Sequence, residues 1–551
     1  MKSNEYLASA LEKLHSKNED FIMIGLTGRT GSGCTTAASI LSSDKTSIEH
    51  SLFNEEVAQN NLQRKEKILA KFFNKNWQAF THLRVSSVLT LMLLDVDDIE
   101  PVRQFLKNQE SIRTADLDFL LDSHEELISN KKTMTNNQFY IDYLSGLTDK
   151  IRNKLEEASF VKLYQLLGQN ARRSGNVTAS SMKSGAFFSI AQKINEISDL
   201  LHHENKSNHK STYIAIDAIR SPLEASYFQE RYASFYLLAI SCKEDIRKLR
   251  LKQKGLSEES IKQIDKNEYA TLDINNEHRF TDQDIQGCLQ RADIYIDSGD
   301  DKDHSNNKSL ANQLIKFVCL AQKPGLITPS PEERCMQVAY TSKLNSGCIS
   351  RQVGAVVTNN NFSIKAVGWN DAPYGQVPCN LRSLEDLCQK KDTVAYSPFE
   401  LQNDSFQNII QDKTERFKKI EDKGYNHSYC FKSEYNTIKK DKNQVHTRSL
   451  HAEENAFLQI SRDGGRGIHG GFLFTTASPC ELCAKKAYQL GMTKIYYIDP
   501  YPGISMEHIL SSGLEKQQPV MVLFNGAIGR AFHNLYTPIA PYKDELNALV
   551  P

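Results

Sequence analysis

Ser449-Leu-His451-Ala-Glu453-Glu454-Asn455, followed further on by Ser478-Pro479-Cys480-Glu481-Leu482-Cys483, decides how the second half of this chain is read. One neutral imidazole and two thiolates fill three positions around a zinc ion and leave the fourth for a water. Glu453 is then left free to move protons. Residues i and i+2 lie about 200° apart around a helix, so His451 and Glu453 converge on one water only where the motif opens a helix. Cys480 and Cys483, at i and i+3, share a face. Pro479 marks the start of their helix, whose N-terminus favours thiolate over thiol. Apolar runs at 471–476 and 494–499 predict flanking strands. A structural zinc site, or two free cysteines near an unrelated histidine, would suit a lone C-x-x-C better than this combination.

With 551 residues the chain is long enough for two or three domains, each with its own core. Lys plus Arg and Asp plus Glu both number 67, so the formal net charge is zero and gives no global footprint for a nucleic-acid backbone. Residues 1–20 are polar, and no stretch approaches the roughly 18 apolar residues of a membrane span. A soluble cytoplasmic protein with no membrane partner is expected. Eleven scattered cysteines, two of them in the metal motif, argue against a disulfide framework.

At the N-terminal end a short apolar strand at 21–24 runs into a glycine-rich loop with Gly28, Gly31, Ser32, Gly33, Cys34 and Thr35, then a helical pattern. The pattern G-x-x-x-x-G-K-[ST] is met at Gly28, Gly33 and Thr35 and broken at Cys34, which stands where lysine would be. Backbone N–H groups can still cradle phosphate and Thr35 can still reach Mg²⁺. The lysine charge for a donor's β- and γ-phosphates is missing. A nucleotide-binding loop with weak or absent phosphoryl transfer is favoured over a plain glycine turn. Residues 51–205 show helical spacing around 68–80, 85–94 and 160–167 and read as a helical insertion. Within it, 168–176 with Arg172 and Arg173 reads either as a phosphate clamp or as a solvated basic turn. The strand at 211–217 ends in Asp217, which either positions Mg²⁺ opposite the loop or caps the next helix. Further strands are predicted at 235–241 and 294–297, and the basic stretch 243–250 reads as a lid.

Three prolines and a glycine at 322–331 mark the linker. A helix at 332–344 and strands at 350–357 and 365–370 then open the sheet that carries the metal helices. Between Asn370 and His451 lies an insertion holding Cys379, Cys388, His427 and Cys430. These form either a second zinc site or, the favoured reading, ordinary free cysteines.

The C-terminal region resembles deoxycytidylate deaminases through Arg351-x-x-Gly354-Ala-Val-Val, Gly368-Trp369-Asn370-x-x-Pro373, His451-Ala-Glu453-x-Asn455-Ala456 and Pro479-Cys480-x-x-Cys483. Its pairing with a P-loop region, and the tail motifs Asp499-Pro-Tyr501-Pro and Gly526-Ala-x-Gly529-Arg530-Ala-Phe532, resemble the bacterial antiphage deoxycytidylate deaminases over nearly the whole chain. The resemblance implies an α/β protein in two parts. Residues 1–325 form a P-loop kinase-like parallel-sheet domain with the helical insertion at about 51–205. Residues 326–551 form a three-layer α/β/α cytidine deaminase-like domain with an insertion at about 374–445. It further implies that His451, Cys480 and Cys483 hold Zn²⁺, that Glu453 is the general acid/base, and that Asn370 bonds the sugar with Trp369 and Arg351 beside the substrate. dCMP, dCTP or both would become uracil nucleotides, draining the pool a replicating phage needs. The P-loop domain would be a nucleotide-binding regulator, with Mg²⁺ and a nucleotide as its ligands. Homo-oligomers, and in some members restraint by a small RNA, are implied as well.

Two other classes share parts of this pattern. An RNA- or DNA-editing deaminase needs a cationic, aromatic-lined channel, and no dense basic-aromatic stretch is visible. A nucleoside monophosphate kinase with an accessory domain is opposed by Cys34.

Overall fold

The computed structural model describes residues 20–53, 55–109, 112–268, 283–299, 307–390, 392–421, 423–441, 443–464, 467–499 and 505–549. The chain divides into two compact units, one made of Met1–Thr328 with Asn525–Pro551 and the other of Pro329–Phe524. The break at 328/329 falls in the predicted linker. The last segment departs from the expected 326–551 domain because it packs with the first unit, for reasons of pairing given below.

In the first unit, strands β1 (Phe21–Thr27), β2 (Thr81–Arg84), β3 (Thr212–Asp217), β4 (Phe235–Ser241) and β5 (Ile294–Asp297) lie parallel in the order β5-β4-β1-β3-β2. β1 and β4 are apolar along nearly their whole length and almost wholly buried, as strands covered on both faces must be. The region expected to be a helical insertion is not helical throughout. Thr81–Arg84 leaves it to pair with β3, and Val85–Leu94 begins at the next residue. In the second unit, β6 (Gly354–Thr358), β7 (Ile364–Trp369), β8 (Phe472–Ala477), β9 (Lys494–Asp499) and β10 (Val520–Leu523) make a sheet in the order β10-β9-β8-β6-β7. β11 (Gly526–Ala527) returns to the first unit and pairs antiparallel with β5. Arg530 donates from Nη2 to Phe235 O at 2.6 Å and from Nη1 to Gln229 O at 2.7 Å. The tail motif around Arg530 is thus a clasp on the first sheet. Pro500 and Tyr501 of the other tail motif lie outside the described residues.

The second unit is a three-layer sandwich, and two glycines let its layers close. A Cβ on Gly354 would stand 1.9 Å from Ala339 O of helix Pro331–Ser342, and one on Gly368 would stand 2.2 Å from Ala452 O of helix Ala452–Arg462. Ala355, Val357, Leu473 and Ile495 form one core with Ala452, Ala456, Ala484 and Ala487. The alternate residues Phe474 and Tyr496 stack at 4.4 Å on the other face. Among the described residues, no helix is long and apolar enough to cross a membrane.

Candidate active site

His451 sits in extended conformation at the N-cap of Ala452–Arg462, and Cys480 does the same at the N-cap of Glu481–Gln489. Each motif therefore opens a helix, as two-residue spacing of imidazole and carboxylate requires. The His451 Nδ1 lies 3.3 Å from Cys480 Sγ and 3.5 Å from Cys483 Sγ. These three donor atoms lie within 4.8 Å of one another and form the one such group among the described residues. A nitrogen and two sulfurs converging from two helix N-termini suit Zn²⁺ with a position left open. The Cys480 sulfur accepts from the Cys483 side chain and from His451, which together push its pKa down to about 3 against the cost of burial. Lys486 bonds Glu454 and ties the two helices together.

Glu453 is only 4% exposed, and burial raises its pKa above the ordinary carboxylate value. Its Oε1 is 3.2 Å from Thr475 Oγ1, which also lies 2.7 Å from Ala477 O. His451, Glu453 and Cys480 line a cavity of about 240 Å³ shared with Arg351, Asn370, Ser449 and Ser478. Asn370 is anchored, with Nδ2 donating to Arg351 O at 2.7 Å and Oδ1 accepting from Val353 N at 2.6 Å. Arg351 donates to the buried Asp499 at 2.6 Å. Trp369 does not reach the cavity lining. Its carbonyl accepts from Asn455 Nδ2 at 2.9 Å, so that part of the Gly368-Trp369-Asn370 motif holds helix against edge strand.

The insertion supplies one wall of this cavity through Cys379, Cys430, Phe431, Lys432 and Gln444. No local spacing announces these contacts, nor that of Thr475, because their partners are distant in sequence. The suggested second zinc set does not assemble. Cys388 Sγ pairs with Thr414 Oγ1 at 3.3 Å, while Cys379 is approached by Arg448 Nη1 at 3.9 Å.

In the first unit the glycine-rich loop joins the C-terminal end of β1 to helix Cys34–Leu41. Gly31 and Gly33 have φ of 88° and 110°, which glycine adopts without strain. Gly28, Gly33, Cys34, Thr35 and Asp217 line a pocket of about 580 Å³, while Ser32 is buried with its hydroxyl 3.8 Å from Cys34 Sγ. Burial first, and Asp217 second, push the Cys34 thiol up to about 12, so it offers no charge to a phosphate. Asp217 is not the cap of the next helix, since Ser221 accepts from Leu223 N in that role. It faces His82 Nε2 at 3.5 Å. The 168–176 stretch is no solvated turn, because Arg172 is buried against Glu224 at 2.8 Å. The supposed lid is locked. Arg247 holds Thr30 O at 3.0 Å and Asp265 at 2.8 Å, and Arg250 holds Ser298 O at 2.7 Å.

A three-layer α/β sandwich with a His-Cys-Cys metal set and an adjacent unligated glutamate defines a hydrolytic metalloenzyme of the nucleobase-deaminase class. The family described as "Cytidine and deoxycytidylate deaminase zinc-binding region" matches residues 329–499, which contain all four of these residues. Deoxycytidylate deaminases of Enterobacteria phages T2 and T4 are each 31% identical over 169 residues, 30% of this chain and 78% and 76% of theirs. That of Schizosaccharomyces pombe is 25% identical over 178 residues, covering 32% of this chain and 40% of its own. The apo crystal structure of dCMP deaminase from cyanophage S-TIM5 is 22% identical, with 35% of this chain and 98% of that chain covered and a TM-score of 0.20. The chain belongs to the deoxycytidylate deaminase family and is a deaminase, a hydrolase of carbon–nitrogen bonds.

Proposed function

We propose that this deaminase converts free deoxycytidine nucleotides, dCMP or dCTP, to the uracil nucleotides, and that in doing so it drains the cytosine deoxynucleotide pool in antiphage defence. The observation that carries the reading is the single cavity in which Glu453, His451 and Cys480 meet Asn370 and the cations Arg351, Lys432 and Arg448. Such a lining suits a small anionic nucleotide better than a long strand.

His451, Cys480 and Cys483 would hold zinc, which when bound supplies Lewis acidity toward water. Glu453 accepts a proton from the attacking water as it adds at C4, and passes it to N3 of the cytosine. It then takes the remaining proton from the C4 hydroxyl as the carbonyl forms and delivers it to the amino group, and the C4–N bond breaks to release ammonia. Arg351 and Asn370 fix the wall beside the sugar. The expected outcome for Glu453→Ala is a loss of turnover of at least about 100-fold with zinc retained. Metal-free but folded variant protein would refute this division of roles. Chromatography of the purified protein with dCMP, dCTP, CMP, CTP and deoxycytidine, with and without ATP and dTTP, tests the substrate. Zinc-loaded protein that converts none of them would overturn the reading.

The first unit is proposed to bind a nucleotide and Mg²⁺ at its glycine-rich loop and to set deaminase activity. The parallel sheet with the loop and Asp217 at the C-terminal ends of neighbouring strands supports this. Gly33→Asp is expected to abolish the response of deamination to nucleotides, and equal responses of variant and wild type would refute it. A homo-oligomer and restraint by a small RNA complete the proposal, to be checked by light scattering and by RNA recovered from the purified protein.

A further inference from the structure

Asp265 and Glu268, at i and i+3, lie on one face of helix Glu258–Glu268. Both carboxylates are spent on the glycine-rich loop. Asp265 pairs with Arg29 Nη2 at 2.9 Å and Arg247 Nη2 at 2.8 Å. Glu268 is fully buried and receives the Thr30 backbone N–H at both carboxylate oxygens, each at 3.2 Å, as well as the Thr30 hydroxyl. Arg220 Nη1 donates to Glu268 Oε1 at 2.6 Å, and Arg220 Nη2 to Thr30 Oγ1 at 3.2 Å. A backbone N–H, a hydroxyl and a guanidinium converging on one pair of oxygens are the groups that recognise a phosphate.

Thr30 and Arg220 both line the pocket of the glycine-rich loop. That lining carries six arginines and one lysine against two aspartates and one glutamate. One of the arginines points to a ligand independently. Arg172 is only 4% exposed and spends Nε on Glu224, while its buried Nη1 has no hydrogen-bond partner. A buried guanidinium nitrogen without a partner is costly unless something anionic comes to meet it.

We propose that the Thr30–Arg220 seat is a phosphate subsite for a nucleoside triphosphate, held in this structure by the chain's own Glu268, which the ligand displaces. This rests on the reading of the first unit as nucleotide-binding and adds which residues take a phosphate and what competes with it. Cys34 supplies no charge in the loop, so Arg220 and Arg172 replace the missing lysine at other points of the same pocket. The energetic logic is exchange: the carboxylate already satisfies the seat, and a ligand must offer more charge than one carboxylate to win it. Release of Glu268 frees helix Glu258–Glu268 at one of its two acidic contacts.

The test uses the full-length protein, with ATP and inorganic tripolyphosphate as probes and calorimetry as the readout. Glu268→Gln keeps the shape of the side chain and removes its charge, and is expected to bind both probes at least 10-fold more tightly than wild type. Arg220→Ala should lose that gain. Equal or weaker binding by Glu268→Gln, with wild type still binding ATP, would overturn the subsite while leaving the nucleotide-binding reading intact. No binding of either probe by either protein would overturn both. Should Glu268→Gln not fold, hydrogen exchange on wild type decides the matter. ATP is expected to accelerate exchange across Glu258–Glu268, and unchanged or slower exchange there overturns the displacement.

Discussion

Glu453 reaches its working position through burial in the first turn of a helix and through one neighbour, Thr475, that is remote in sequence. The Thr475 hydroxyl has a single proton and two acceptors in reach, Ala477 O at 2.7 Å and Glu453 Oε1 at 3.2 Å. The hydroxyl is shared between them, and its donation to Glu453 Oε1 favours the carboxylate against the cost of burial and orients it for proton transfer. Thr475→Val removes the hydroxyl at nearly constant volume. A hydrogen bond of about 1 to 1.5 kcal/mol corresponds to roughly a 10-fold fall in kcat, with KM and zinc content unchanged. Unaltered kcat would show that burial alone places Glu453. The ligand set itself was legible in the sequence, because zinc chemistry dictates residue types at fixed short spacings. Thr475 was not, since a threonine in a strand carries no local mark of what its hydroxyl meets. Nor was the role of Trp369, whose motif reads the same whether the ring or the carbonyl is used.

At the scale of elements, the 374–445 insertion has a core of its own, with Leu384, Leu387, Phe406 and Ile410 packed around a polar centre. Arg382 and Glu400 are paired there at 0% and 2% side-chain exposure, and Tyr429 donates to Glu400 Oε1 at 2.6 Å. The guanidinium also lies 4.7 Å and 4.9 Å from the centres of the Tyr396 and Tyr429 rings. Burial works against the Glu400 charge, but Arg382 and the Tyr429 hydroxyl outweigh it and hold the carboxyl below its usual 4.5. A carboxyl whose folded pKa is depressed contributes stability that is fully present above its unfolded value and is lost as pH falls through the folded one. Unfolding of wild type is therefore expected to show an acid limb below about pH 4.5 that Glu400→Gln flattens, measured by urea titration across pH. Glu400→Ala should instead cost about 3 to 5 kcal/mol at neutral pH by stranding Arg382, and take with it the cavity wall at Phe431 and Lys432. The sequence showed an insertion here but not its purpose. Three of its helices have 5 to 9 residues, and the buried Arg382–Glu400 pair spans 18 residues with no periodic signal.

Over the whole molecule, the chain leaves the first unit at 328 and returns to it at 525, so the boundary between domains is crossed twice. Composition revealed the first crossing, where prolines and a glycine break the pattern. The second was hidden, because Asn525-Gly526 reads as an ordinary turn within a domain and β11 is only two residues long. What fixes the return is pairing and charge. Gly526 and Ala527 register with Tyr295 and Ile294, Ile528 N donates to Asp293 O at 3.0 Å, and Ala531 and Leu535 enter the first unit's core. Arg530 then holds two main-chain carbonyls at the start of β4 and the end of helix Pro222–Arg231, with Asp293 at 3.9 Å. Hydrogen bonds to a charged donor contribute about 1.5 to 3 kcal/mol each, so Arg530→Ala is expected to lower the stability of the first unit by about 2 to 4 kcal/mol. Calorimetry of the full chain should show the transition of that unit moving down while zinc content, which reports the second unit, stays constant. If instead the metal is lost and the first transition does not move, the tail belongs functionally to the deaminase sheet, as the sequence reading held, and the clasp is incidental.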